Sequence, residues 1–180
     1  MLKTKKIVLK ELDGGDAKRL SKLMVSNKKR FQRFFPVTLS QNLSEKSSKA
    51  YILLKQVEIS YKSEFTYAIQ EPLSGQLVGL VILKEIDWNR KIAEMAYCIG
   101  ERFEGKGYAT HTVKILSDFA IEKLGLKTLQ IIVHSDNSAS VRVAEKCGYI
   151  WDRTLEKEFA PPGETLLDME LYRLSVEKKY

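Results

Sequence analysis

The chain has 180 residues, of which 44% are hydrophobic and 29% charged, and its formal net charge at pH 7 is +7. This length and composition suit one globular domain with a substantial core, and no apolar run approaches the roughly 20 residues that span a bilayer. The 30 Lys and Arg are spread among 23 acids without interleaved aromatic residues, so we expect no nucleic-acid partner.

The N-terminal part of the chain predicts one strand and two helices. Residues 1–6 are basic, but no apolar signal core follows them, so a cytoplasmic location is expected. Residues 6–12 alternate as in a strand, and Asp16 is the expected cap of the first helix. Residues 31–36, Phe-Gln-Arg-Phe-Phe-Pro, predict an apolar loop that either folds onto the core or forms one wall of a substrate pocket. Ser44 begins the second helix.

Three strands follow in the middle of the chain. They are predicted over residues 65–70, 76–86 and 91–100, with turns of sequence Pro-Leu-Ser-Gly and Asp-Trp-Asn-Arg between them. The first two strands form an antiparallel hairpin.

The segment after these strands, Arg-Phe-Glu-Gly-Lys-Gly-Tyr-Ala at residues 102–109, carries the main functional signal. It joins a strand to a long helix, so its N–H groups and the positive end of the helix dipole face outward. Gly105 and Gly107 let the backbone approach a ligand, and Arg102 and Lys106 add positive charge. The spacing is that of neither a P-loop nor a dinucleotide-binding fold. We expect an anion site, with a plain tight turn as the alternative.

The last part of the chain alternates helices and strands. Helices are predicted over residues 109–124 and 138–147, and strands over 129–133, 149–159 and 166–174. Residues 129–133 have the pattern of a strand buried on both faces. The order β-α-α-β-β-β-α-β-α-β-β predicts an α/β (α+β) fold, with a mixed central sheet of about seven strands and helices on both faces. We expect one domain over residues 5–175, with Cys98 and Cys147 as packed, reduced thiols.

Four segments, in this order of elements, resemble those of the GNAT superfamily of N-acetyltransferases. Residues 102–107 are similar to its Arg-x-x-Gly-x-Gly/Ala loop, and residues 137–149 to its segment Asn-x-x-Ser … Glu-Lys-x-Gly-Phe. Residues 96–100 and 168–172 resemble the RimJ/RimL-like branch, which includes enzymes that acetylate the N-terminal amine of ribosomal proteins. The resemblance covers about residues 5–174 and implies a single GNAT domain.

The resemblance implies an acetyl-CoA-dependent N-acetyltransferase in which a primary amine attacks the thioester directly. It implies that the glycine loop and its helix hold the pyrophosphate of acetyl-CoA. It also implies that parallel strands splay apart near residues 97–99, which frees a backbone N–H to polarise the thioester carbonyl. No metal ion is expected. The residues expected to contact acetyl-CoA are Tyr97, Cys98, Ile99, Arg102, Phe103, Glu104, Gly105, Lys106, Gly107, Tyr108, Ala109, Asn137 and Ser140.

Three side chains are candidates for proton transfer. Glu94 stands in an otherwise apolar strand and His134 follows a buried one, so either could take a proton from the amine. The other interpretations are an ion pair for Glu94 and a structural role for His134. Many GNAT enzymes protonate the departing thiolate with a Tyr seven residues after the Asn, where this chain has Ala144. We therefore assign that proton donor to Ser140, unless its hydroxyl only bonds back to its own helix.

Aromatic residues are expected to line a channel for the acceptor, namely Phe31, Phe34, Phe35, Trp88 and Phe159. The resemblance favours a protein or peptide N-terminal α-amine as the acceptor. A small polyamine or aminoglycoside is the alternative, since Glu156, Glu158 and Glu164 could attract a polycation, and a sensor that binds acyl-CoA without turnover is another. The expected partners are acetyl-CoA and an amine-bearing peptide, protein or small molecule, with no nucleic acid and no membrane. The chain is expected to be a monomer or a homodimer.

Overall fold

A central sheet of eight strands runs through the computed structural model, which describes residues 1–176. The strands are β1 (Leu2–Lys3), β2 (Val8–Glu11), β3 (Phe65–Gln70), β4 (Leu77–Asp87), β5 (Ile92–Ile99), β6 (Thr128–Val133), β7 (Ile150–Phe159) and β8 (Leu167–Ser175). The α-helices of these residues are α1 (Ala17–Ser26), α2 (Lys28–Phe34), α3 (Pro36–Ser40), α4 (Glu45–Ser60), α5 (Tyr108–Glu122) and α6 (Ser138–Lys146). Within the same residues, no helix is both long and apolar enough to cross a bilayer.

The strand order in the sheet is β1-β2-β3-β4-β5-β6-β8-β7. Neighbouring strands are antiparallel except β5 and β6, which are parallel. These two pair at three positions, where Ile92–Glu94 lies beside Thr128–Gln130. Beyond them β5 continues to Ile99 and β6 to Val133 without pairing with each other. The sheet therefore opens between the carboxyl ends of β5 and β6, and this gap positions the site described below.

The helices cover both faces of the sheet. Tyr67 and Ile69 of β3 point into a core cluster that contains α5 and α6, while Ala68 between them points into a cluster built with α1 and α4. This alternation follows from the period of two in a strand. The mixed sheet between two helical layers confirms the predicted fold class, and β1 adds one strand to the seven that the sequence predicts.

The predicted helices and strands agree with the structure close to their expected ends, with three corrections. Residues 31–36 are not a loop: Phe31 to Phe34 are the end of α2, Phe35 is a single non-helical residue, and Pro36 begins α3, where proline needs no N–H partner. Asp16 does not cap α1 with its side chain. It is buried, accepts the N–H of Asp13 at 3.0 Å and binds Lys10 and Arg19. β6 is fully buried on one face and half-buried on the other, since Gln130 alternates with apolar neighbours.

Candidate active site

A cavity of about 560 Å³ lies where β5 and β6 separate. Its walls come from α2, the end of β5, the glycine loop with the first turn of α5, and the first two turns of α6. The structure thus brings together three groups of predicted site residues that lie far apart in the sequence. They are Phe31, Phe34 and Phe35; Tyr97, Cys98 and Ile99; and Gly105, Gly107, Tyr108, Ala109, Asn137 and Ser140, together with Phe103 and Glu104.

The glycine loop presents backbone donors to this cavity. Gly107 precedes α5 with φ of 78°, and Gly105 has φ of 70°, so both adopt the left-handed conformation that favours glycine. The first bond of α5 runs from the N–H of His111 to the carbonyl of Gly107, at 3.1 Å. The N–H groups of residues 108–110 precede that bond and have no partner inside the helix. A Cβ atom at Gly105 would meet nothing within 4 Å. The loop therefore has both the donors and the space that a pyrophosphate needs.

The two cations of the loop lie beside the cavity rather than in its wall. The guanidinium carbon of Arg102 is 4.6 Å from the centroid of the buried Phe103 ring, and Lys106 Nζ is 5.5 Å from it. Glu71 accepts a hydrogen bond from the Tyr108 hydroxyl. That bond lowers the pKa of Glu71 most, Ser74 lowers it further, and the charges of Lys106 and Arg102 add to the effect. The two cations thus contribute a positive field at the loop.

The end of β5 turns backbone groups toward the gap. The N–H of Gly100 donates to the carbonyl of Val78 on the β4 side at 2.9 Å. Because N–H groups alternate in direction along a strand, those of Tyr97 and Ile99 point to the other side, where β6 has diverged. The splay expected from the resemblance is present in the structure. The Cys98 side chain is buried on the opposite face, and burial raises the pKa of its thiol to about 12.

Helix α6 contributes Asn137 and Ser140 to the wall. The Asn137 Oδ1 atom accepts the N–H of Ser140 at 3.2 Å, so Asn137 caps the helix and fixes Ser140 in its first turn. Ala144 is fully buried in the core and does not face the cavity. Residue 144 therefore does not look into the site, although it follows Ser140 by one turn of the helix. A large side chain there would collide with the core instead.

The two candidate bases occupy different positions. Glu94 Oε1 is 2.9 Å from Lys84 Nζ on the neighbouring strand, and the pair lies outside the cavity wall. That position gives Glu94 the ion-pair role and does not support a role as base. The His134 ring lies behind Phe34, with 5.8 Å between the ring centroids. Its Nδ1 atom accepts the N–H of Asp136 at 3.2 Å, so Nε2 of the neutral ring carries the hydrogen and can donate to another partner.

Four of the five expected aromatic residues gather at the cavity. Phe31, Phe34 and Phe35 line it, and the Phe159 ring centroid is 6.1 Å from that of Phe34. Trp88 does not join them, so its assignment to the acceptor pocket is wrong. It lies in the turn before β5, at the end of that strand away from the gap, and donates to the carbonyl of Lys62 at 3.1 Å.

Helix α2 is held over the cavity by ion pairs that the sequence did not predict. Arg33 binds Glu164 with two hydrogen bonds, of 2.8 and 2.9 Å, and Arg30 pairs with Glu104. Arg142 and Lys146 of α6 complete the cationic part of the wall. The sequence showed only a run of basic residues in this region, and such a run is equally common on a solvent-exposed helix that makes no ion pairs.

The two cysteines agree with expectation. Cys98 and Cys147 are both free cysteines, the first buried and the second half-buried. Across residues 1–176, no group of three or more His, Cys, Asp or Glu side chains is arranged to hold a metal ion. The site is thus built from backbone donors, hydroxyls, aromatic rings and cations.

Comparisons with known proteins agree with this geometry. A family model for the acetyltransferase (GNAT) domain matches residues 6–150. A Bacillus subtilis (strain 168) protein named "Putative ribosomal N-acetyltransferase YdaF" is 26% identical over 144 residues, 80% of this chain and 78% of that protein. The spermidine N(1)-acetyltransferase of Escherichia coli (strain K12) is 28% identical over 123 residues, 67% of this chain and 65% of that protein. The solved structure of RimL, a ribosomal L7/L12 alpha-N-protein acetyltransferase in complex with coenzyme A, matches with a TM-score of 0.86 and 18% identity over 96% of each chain.

Proposed function

The chain belongs to the acetyltransferase family defined by the GNAT domain and is an acetyl-CoA-dependent N-acetyltransferase, and from this premise we propose that its acceptor is the N-terminal α-amine of a protein or peptide. The observation that carries this choice is the charge on the acceptor side of the site. Residues 17–44 contain no Asp or Glu. Their cations are Lys18, Arg19, Lys22, Lys28, Lys29, Arg30 and Arg33.

The cavity wall continues this positive surface. Its cationic side chains are Arg30, Arg33, Arg142 and Lys146, and its acids are Glu104 and Asp136. Glu104 pairs with Arg30, and Glu164, expected to attract a polycation, pairs with Arg33, so each of these pairs is neutral. The other charged residues of the wall are Arg142, Lys146 and Asp136, which leave it net positive. An acceptor with several positive charges would be repelled here. A peptide terminus brings one amine together with carbonyl groups and, in an acidic sequence, carboxylates, so it suits this wall better.

Each step of the reaction has a residue suited to it. Bound acetyl-CoA supplies the acetyl group as a thioester. The loop N–H groups of residues 108–110 hold phosphate, and the N–H groups of Tyr97 and Ile99 face the gap where a carbonyl oxygen can be polarised. His134 takes the proton of the amine through a water beside Phe34, because it is the nearer of the two candidate bases to the cavity. The proton goes to Nδ1 and replaces the hydrogen bond from the Asp136 N–H. Ser140 delivers a proton to the departing sulfur.

Small-molecule acceptors remain the second candidate function. One relative is named for ribosomal N-acetyltransferase activity and another for spermidine acetylation. Glu156 and Glu158 of β7 are exposed and could attract a polyamine. A sensor that binds acyl-CoA without turnover is the third candidate. The cytoplasmic location, the single domain over residues 5–175 and the monomeric or homodimeric state stay predictions.

A competition assay tests the acceptor. The protein receives acetyl-CoA with an equimolar pool of hexapeptides that differ in their first residue, spermidine and an aminoglycoside, and products are identified by mass spectrometry. We expect acetylation of peptide α-amines, with acidic hexapeptides preferred over basic ones by about tenfold at low salt and by less as the salt rises. Turnover on spermidine or the aminoglycoside with none on peptides would overturn the proposal. Binding of acetyl-CoA without thiol release on any amine would support the sensor.

A further inference from the structure

The hydroxyl of Tyr97 is buried and lacks a hydrogen-bond partner of normal geometry among the described residues. Four other residues contain such an orphan atom, namely Tyr51, Gln70, Thr112 and Arg173, but none of these four lines the cavity, whereas Tyr97 does. Buried polar groups are rarely left unpaired, and those that are often await a ligand, a water or a catalytic partner. The position of this orphan hydroxyl therefore points to a function in the site.

A candidate partner of this hydroxyl is the Ser140 side chain, because Tyr97 and Ser140 line the same cavity. Burial raises the pKa of Tyr97 to about 12, and the Ser140 side chain acts against that rise. The capping bond to Asn137 holds Ser140 in the first turn of α6, so its position in the cavity wall beside the end of β5 is fixed.

We propose that Tyr97 is a positioning residue that donates a hydrogen bond to Ser140 Oγ and so directs the Ser140 proton at the sulfur of acetyl-CoA. The inference rests on the proposed function, since it concerns the proton donor of the same transfer. It assigns to the Tyr97 side chain a role that the sequence did not suggest, because only its backbone was expected to contribute.

The proton balance shows why a second hydroxyl helps. As the bond from nitrogen to carbon forms and the bond from carbon to sulfur breaks, nitrogen loses one proton and sulfur gains one. His134 takes that proton from nitrogen, Ser140 gives its own proton to sulfur, and Ser140 then recovers the proton from His134 through water, so no outside acid is consumed. While the Ser140 oxygen is short of a proton it carries negative charge, and a hydrogen bond from Tyr97 stabilises that charge. Ala144, buried in the core, cannot supply this help.

The test compares Tyr97→Phe with Tyr67→Phe. Tyr67 is a buried tyrosine of the same core cluster that does not line the cavity, so it is a matched control. Because the Tyr97 hydroxyl has no partner among the described residues, its removal should leave the melting temperature of the free protein unchanged or raised. Acetyl-CoA affinity by calorimetry should stay within about threefold, while kcat with acetyl-CoA and the hexapeptide pool falls at least about tenfold. Tyr67→Phe should turn over like the parent.

A double mutant shows whether Tyr97 acts through Ser140. If it does, Tyr97→Phe with Ser140→Ala will be no slower than Ser140→Ala alone. Losses that multiply, parent-like turnover in Tyr97→Phe, or a loss explained by weaker acetyl-CoA binding would each overturn the inference. If the parent acetylates spermidine and no peptide, the same comparisons are made with spermidine, so the acceptor proposal and this inference fail separately.

Discussion

The left-handed backbone of Gly107 is the single-residue feature on which acetyl-CoA binding depends most directly. We expect Gly107→Val to weaken binding at least about tenfold, because a β-branched residue avoids φ of 78° and its relaxation would turn the loop N–H groups away. Gly125→Val is the control, since Gly125 follows the other end of the same helix with φ of 72° and open space around it. Calorimetry and melting temperature should show similar destabilisation in both variants but lost affinity only in Gly107→Val. Equal affinity in the two would remove the loop as the binding site.

His134 and Glu94 make opposite predictions for the pH dependence of the rate. With the parent protein, kcat/KM should rise with pH through one apparent pKa, as expected when a base must be neutral. His134→Gln should flatten this rise, because Gln keeps a similar size but cannot take a proton at neutral pH. Glu94→Gln should keep the profile, since Glu94 is paired with Lys84 outside the cavity wall. If Glu94→Gln alone flattens the profile, the assignment of the base is reversed.

For single residues, the sequence predicted the glycines of the anion-binding loop well, but it predicted poorly which side chains distant in the chain lie together at the site. Gly105 and Gly107 could be recognised from the sequence, because the left-handed conformation of a residue depends mainly on its own type. Trp88 was misplaced because nothing local shows at which end of the sheet a turn lies. The burial of Ala144 was not foreseen, because helical spacing gives the residues that share a face but not what that face contacts. The Tyr97 hydroxyl became visible only when β5 and α6 were seen together.

Among the elements, α2 has the most direct influence on the choice of acceptor. We expect the double variant Lys28→Glu with Lys29→Glu to reduce the preference for acidic over basic hexapeptides by about fivefold at low salt, since it reverses two exposed charges on the helix that lines the cavity. Lys5→Glu with Lys6→Glu is the control, with the same charge change near β1 at the far edge of the sheet. An equal loss of preference in both pairs would mean that net charge, and not α2, sets selectivity.

The way α2 is anchored explains why this element was misjudged from the sequence. Asn27 before it accepts the N–H of Glu101 at 2.8 Å and donates to the carbonyl of Leu23 at 2.8 Å, which ties the α1–α2 corner to the end of β5. Such bonds join residues far apart in the chain and leave no local pattern. The strands were predicted closely because each has alternating or continuous apolar residues between clear turns, whereas Phe31 to Pro36 combined helical aromatic spacing with a proline that suggested a loop.

The whole molecule should lose stability in alkaline solution. Burial raises the pKa of Cys98 from 9.0 to about 12 and those of Tyr67 and Tyr97 from 10.0 to about 12. An unfolded chain releases these protons earlier than the folded protein, so stability is intact below pH 9 and falls as the pH rises toward 12. The loss is about 1.4 kcal/mol per pH unit for each group that has begun to titrate in the unfolded state.

Urea unfolding at pH 7, 8, 9 and 10 measures this effect. Between pH 9 and 10 the thiols titrate before the tyrosines, so Cys98→Ala should have a shallower decline in the free energy of unfolding than the parent. The comparison uses only the slope of the free energy of unfolding against pH, so a difference in stability between variant and parent at pH 7 does not affect it. An identical slope in parent and variant would contradict the raised pKa of Cys98.

The short ladder between β5 and β6 is a weak junction in the sheet of the free protein, and we call this junction the seam. Strands β1 to β5 form one part of the sheet and β6, β8 and β7 the other, and three paired positions join them. In hydrogen exchange, the amides of Tyr97 and Ile99 at the open end of this seam should exchange faster than those of β4, which pairs on both sides. A ligand bound in the gap contacts both parts of the sheet and holds them together. Its binding should therefore slow amide exchange in both parts, and the two parts should then unfold as one cooperative unit.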